Sequence, residues 1–91
     1  MQVPLELKQK YISRRLQDVE KLRSSLESDD FTLALKFGHQ VKGNASTFEF
    51  PELVSIGSDI EEAAQIHDKE KLRALILQLE VYIHSQSTYL Q

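Results

Sequence analysis

The sequence predicts an all-α protein, an antiparallel up-down-up-down four-helix bundle, on three observations. Apolar residues recur at spacings of three and four through four successive segments. No segment alternates with the two-residue period of a strand, and connections of about two to four residues favour antiparallel neighbours.

The first helix is expected from about residue 5 to 28. Pro4 suits its first turn, where a missing N–H leaves nothing unpaired, and Ile12, Leu16, Val19, Leu22 and Leu26 form one inward stripe. Tyr11 marks a candidate bend that would set off a short leading N-terminal helical segment. The far face carries Arg14, Arg15, Asp18, Glu20, Lys21 and Arg23, the make-up of a solvated surface.

Asp29 and Asp30 offer carboxylate N-caps for a second helix, whose inward residues are Phe31, Ala34, Gly38, Val41, Ala45 and Phe48. It is expected to end near Phe48, because Pro51 cannot continue the ladder and restricts Phe50 to extended backbone. Pro51 opens a third helix with Leu53, Ile56, Ile60 and Ala63 inward, broken at Ile66, His67 and Asp68. Asp68 caps the fourth, whose Leu72, Leu75, Ile76, Leu79, Tyr82 and Ile83 form the broadest apolar face before a polar run from Ser85 to Thr88.

A chain of 91 residues holds one core, so a single domain over residues 1–91 is expected. At 41% hydrophobic and 27% charged residues it should fold. Without cysteine it has no disulfide framework, thiolate metal site or cysteine nucleophile, and a reducing, cytoplasmic location suits it. A net charge of −3 argues against nucleic-acid binding. No apolar run reaches the roughly 18 to 20 residues that span a bilayer, and Met1–Gln2–Val3–Pro4 lacks the basic start of an export signal, so no membrane role is expected. Met1 and the lack of a linker fit a small free-standing monomer, although a domain cut from a larger kinase would look similar.

Glycine inside a helix costs roughly 1 kcal/mol relative to alanine, and the second helix carries Gly38 and Gly43. Close helix packing explains Gly38, which lies on the inward stripe. Gly43 needs another reason. On a wheel of ~100° per residue with His39 at zero, Gly43 falls near +40°, Lys42 near −60°, Lys36 near +60° and Ser46 near −20°. The inward stripe centres roughly 130° away, so the imidazole should face solvent. Gly43 then leaves bare backbone through which a bulky partner reaches the ring, and Lys42 supplies an ammonium for an oxyanion formed there. One imidazole without a second catalytic group is a poor independent enzyme, so a partner must complete the chemistry.

The run His39–Gln40–Val41–Lys42–Gly43–Asn44–Ala45 resembles the H-x-[LV]-K-G-[SN]-[AS] signature of histidine-containing phosphotransfer (HPt) domains. The resemblance extends from about Tyr11 to Tyr82, through Asp30–Phe31, Phe50–Pro51–Glu52–Leu53 and Ile60–Glu61–Glu62–Ala63. It implies a four-helix bundle that accepts a phosphoryl group on an exposed imidazole from a receiver-domain aspartate and passes it to another receiver, without kinase or phosphatase activity of its own. By this resemblance His39 is the phosphoacceptor, Lys42 stabilises phosphoryl charge, and Gly43 clears room for the receiver. Glu61 stands where such domains often have an acid or amide near the ring, and is a candidate for orienting it. The implied partners are response-regulator receivers, that of a hybrid histidine kinase among the candidates. The protein itself needs no cofactor, and Mg²⁺ belongs to the receiver. Two departures are evident: many such domains carry glycine where Glu49 stands, and alanine where Gly38 stands.

Leu35, near −40° on the wheel, sits on the rim between core and solvent. With Lys36, Gln40 and Ser46 it forms the expected docking surface around His39. The alternative function is a non-catalytic bundle that docks receivers or other partners without being phosphorylated. His67 and His84 share no ligand spacing with His39, so no metal site is expected. Asp59, Glu61 and Glu62 point in different directions along a helix, which argues against acid–base catalysis by them.

Overall fold

In a computed structural model that describes residues 2–91, the chain forms four α-helices and, among these residues, no strand. They are α1 (Leu5–Glu27), α2 (Thr32–Asn44), α3 (Pro51–Gln65) and α4 (Lys69–Tyr89). Pairings along the helices run in opposite senses: Arg23 meets Glu80 while Gln9 meets Leu90, and Gly38 meets Glu61 while Lys42 meets Gly57. Neighbouring helices are therefore antiparallel. A 23-residue helix is about 35 Å long, and α1 accordingly sets the 37 Å long axis of the bundle.

Helix α1 runs without interruption, with the Pro4 carbonyl accepting from the N–H groups of Leu7 and Lys8. There is no bend at Tyr11 and no separate leading segment. Instead the Tyr11 ring is buried, stacks on Phe48 at 4.4 Å and on Phe50 at 5.7 Å, and its hydroxyl donates to Asn44 Oδ1 at 2.5 Å. A side chain entering the core needs no break in its helix.

Phe31, and neither expected aspartate, stands at the N-cap of α2, and its side chain caps nothing. Asp30 Oδ1 accepts from the Thr32 N–H at 3.0 Å, whereas Asp29 takes a left-handed φ of 56° in the reversal after α1 and pairs with Lys69 at 2.8 Å. The end of α2 falls at Asn44, short of Phe48. Thr47, Phe48 and Glu49 bond three residues back rather than four, and the Phe50 N–H returns to the Ala45 carbonyl at 2.9 Å. Glu49, at φ 69°, closes this reversal, so the chain turns well before the proline that was expected to stop it. Ala45 and Phe48 still face inward, as the helical spacing requires.

Pro51 opens α3, and His67, at φ 55°, separates α3 from α4. Asp68 caps α4 by accepting from the Lys71 N–H at 3.1 Å. The polar run from Ser85 to Thr88 does not weaken α4, because Leu90 beyond it is buried and its carbonyl accepts from Gln9 Nε2 at 2.7 Å.

The expected stripes form the core, with Leu16, Phe31, Phe48 and Tyr82 only half-buried and with Tyr11, Phe37, Phe50, Ala64 and Leu90 added. Among the described residues no charged side chain is buried with them. Burying one Leu or Ile contributes about 1.5 to 3 kcal/mol, against about 0 to 1 for a surface ion pair such as Arg73–Glu70. Apolar packing therefore positions the helices. Helix α2 packs chiefly on α3, and α1 chiefly on α4, which leaves only slight contact between α1 and α2.

Glu49 holds a left-handed conformation that costs a residue with a Cβ about 1 to 2 kcal/mol. Its carboxylate is tied to the Val3 N–H at 3.0 Å and to Lys8 at 3.1 Å. Glu49→Ala and Glu49→Gly both lose those ties, and differ in the backbone cost alone. The glycine variant should be the more stable by about 1 kcal/mol in denaturant unfolding.

Candidate functional site

The site begins with a contact between two helix backbones. A Cβ placed on Gly38 would lie 2.5 Å from the Glu61 nitrogen, 2.7 Å from the Gly57 carbonyl oxygen and 2.9 Å from the Glu61 Cα. One placed on Gly57 would lie 2.9 Å from the Lys42 nitrogen and 3.1 Å from the Gly38 carbonyl oxygen. Facing glycines thus let α2 and α3 approach more closely than any side chain would allow.

That approach brings Glu61 beside His39. The imidazole Nδ1 lies 2.8 Å from Glu61 Oε2, and Lys42 Nζ donates to Glu61 Oε1 at 2.6 Å. The His39 side chain is 72% exposed and that of Lys42 43%, whereas Glu61 is 13% exposed. One carboxylate with a sheltered stem therefore holds two exposed cationic or proton-bearing groups. The Lys42 ammonium first, and the His39 ring second, keep the Glu61 carboxyl below its usual range. Ionised, it can only accept, so the proton on a neutral His39 resides on Nδ1 and the lone pair on Nε2, across the ring from Glu61.

Gly43 lies on the same exposed face, and nothing stands within 4 Å of where its Cβ would be. Space beside His39 is therefore open, and close packing does not account for this glycine.

The family model described as the Hpt domain matches residues 6–85. The chain belongs to the Hpt domain family. Hpt domains are phosphotransfer modules of two-component systems, carriers of phosphoryl groups rather than catalysts, and they interact with receiver domains. No curated protein and no solved structure matches the chain.

Around His39 this Hpt domain presents Leu35, Lys36, Gln40 and Ser46, all exposed; Leu35 sits at the rim with 37% exposure. On the α1 side a groove of about 630 Å³ opens, lined by Leu7, Lys10, Tyr11, Arg14, Arg15, Gln40, Asn44 and Phe48. It is cationic: Arg15 lies over the Tyr11 ring at 4.7 Å, and among the described residues neither Lys10 nor Arg14 forms an ion pair. A second cavity, of about 540 Å³ between α1 and α4, includes none of the residues around His39. His67 is occupied elsewhere, stacked on Phe31 at 4.4 Å, and Asp59 and Glu62 are exposed. No group of three potential metal ligands exists among the described residues, and no helix is long and apolar enough to cross a membrane.

One residue of the site, Gly57, and one contact were not identified from the sequence. Gly57 could have been, since a glycine inside a helix beside the inward Ile56 asks for the same explanation as Gly38. The tie from Asn44 to Tyr11 had no sequence signal.

Lys42→Met should raise the titration midpoint of the Glu61 carboxyl, read from its side-chain ¹³C resonance. A carboxyl held low by its folded partners stabilises the fold above its unfolded pKa, and that contribution is lost as pH falls through the folded value. The variant should therefore lose less stability than the parent across that acid range.

Proposed function

We propose that this Hpt domain is a histidine phosphotransfer protein, taking a phosphoryl group on His39 Nε2 from a receiver aspartyl phosphate and passing it to another receiver. The observation that carries this reading is the Glu61 contact to Nδ1 on a ring that is 72% exposed, which leaves Nε2 as the free nucleophile. The Nε2 lone pair forms the N–P bond as the P–O bond to the aspartate breaks, and the aspartate leaves as a carboxylate. No proton need be removed. The ring becomes cationic as the bond forms, with its proton still on Nδ1, and the Glu61 carboxylate lies where it offsets that charge. Lys42, one turn from His39, can exchange Glu61 for a phosphoryl oxygen and neutralise the incoming charge. Transfer to the next receiver is the same step reversed.

Gly43 keeps the approach to Nε2 open for the receiver's active-site loops. Leu35, Lys36, Gln40 and Ser46 surround the ring and form the docking surface, joined by the Lys10 and Arg14 side of the groove. A cationic surround on a chain of net charge −3 fits a partner whose active site is acidic and carries phosphate.

Mixed with a phosphorylated receiver domain and Mg²⁺, the protein should become labelled on His39 through an acid-labile bond. His39→Gln should take no label; undiminished labelling of that variant rules the assignment out, and docking without label on the parent favours a non-catalytic module.

Gly43→Gln should raise stability by about 0.5 to 1 kcal/mol through better helix propensity, since its Cβ meets open space. Transfer from the receiver should nevertheless slow by at least about tenfold as the side chain intrudes on the docking path. Thermal unfolding and transfer kinetics on one preparation separate the two effects.

A further inference from the structure

We propose that Gly38 and Gly57 are positioning residues for phosphotransfer: the backbone contact they permit holds the Glu61 carboxylate against His39 and thereby fixes the ring proton on Nδ1. This rests on the reading of His39 Nε2 as the phosphoacceptor.

Space, not backbone freedom, is what these glycines supply, because neither has a positive φ. All three atoms that a Gly38 Cβ would strike are backbone, and two of them belong to Glu61 itself. None can swing aside as a side-chain tip could, so a methyl group there drives α3 away by about 1 Å to reach ordinary contact distance. The Glu61 carboxylate cannot absorb that retreat. Both its oxygens are committed, one to His39 and one to Lys42, and its stem is sheltered between the helices. A 2.8 Å contact lengthened by about 1 Å is no longer a hydrogen bond. Without that acceptor the neutral ring also populates the form protonated on Nε2, which has no lone pair to attack phosphorus. A methyl group on Gly57 meets milder limits, 2.9 and 3.1 Å from backbone atoms of α2, so its effect should be the smaller of the two.

The test is the ring ¹⁵N spectrum of His39 in the full chain and in Gly57→Ala and Gly38→Ala, with phosphoramidate as a direct phosphoryl donor. In that reaction Nε2 forms the N–P bond as ammonia leaves. The parent should show the Nδ1–H form predominating. The Nε2–H form should grow in Gly57→Ala and more in Gly38→Ala, with labelling slowed a few-fold and about tenfold respectively. Circular dichroism reports whether each variant is folded; if Gly38→Ala is not, Gly57→Ala carries the test alone. A folded variant with the parent's ring spectrum overturns the proposal, even if its labelling is slow, as does a parent in which Nε2–H predominates. If the spectra shift as expected but the parent takes no phosphoryl group, the reading of His39 as phosphoacceptor fails while the positioning of its proton stands.

Discussion

The close crossing of α2 and α3 at Gly38 is the constraint on which the site depends. Two helices normally keep 8 to 10 Å between axes because side chains stand between them. Here the Gly38 and Gly57 backbones touch, and the residue one turn along α3 from Gly57 is Glu61. A carboxylate that would otherwise be a solvated surface group is thereby placed at Nδ1 of His39 and beside Lys42. The same crossing draws α2 onto α3 and off α1, which opens the cationic groove next to Gln40. One steric fact thus accounts for both the chemistry at the ring and the surface beside it.

Apolar packing holds that crossing in place. Ala34 and Val41 on α2 and Leu53 and Ile60 on α3 are buried on either side of the glycines, and their burial outweighs what the ion pairs at the site contribute. The Glu61 pairs lie at a wet surface, where such contacts add little stability. Their consequence is orientation: they decide which ring nitrogen bears the proton and where the ammonium rests. Stability and site geometry therefore come from different interactions.

The far end of the groove is made firm by aromatic contacts. Tyr11 reaches from α1 to stack on Phe48 and bond Asn44, and the following turn is closed by Glu49 in a left-handed conformation. The Glu49 carboxylate lies low in its range because it accepts from the Val3 backbone and from Lys8, so the start of the chain helps to hold the turn. At Glu49 a backbone cost is thus set against a tether.

By itself the sequence determined the four helices, most of the inward stripes and the exposed face bearing His39, Lys42 and Gly43, because each follows from periods of three and four within a single helix. It also carried the motif of the Hpt family. The helix ends were less certain: whether α2 stopped at Asn44 or ran to Phe48 turned on hydrogen bonds three residues apart and on a left-handed Glu49, neither of which has a distinctive residue pattern. Tyr11 read as a bend because its partners, Asn44, Phe48 and Phe50, come from the end of α2 and the turn after it, far along the chain. Only the tertiary structure decided that Glu61 meets His39 Nδ1, that Gly57 faces Gly38, and that a cationic groove opens between Gln40 and α1. These are relations between helices, fixed by how closely two backbones can approach, and helical periodicity within one segment says nothing about that distance.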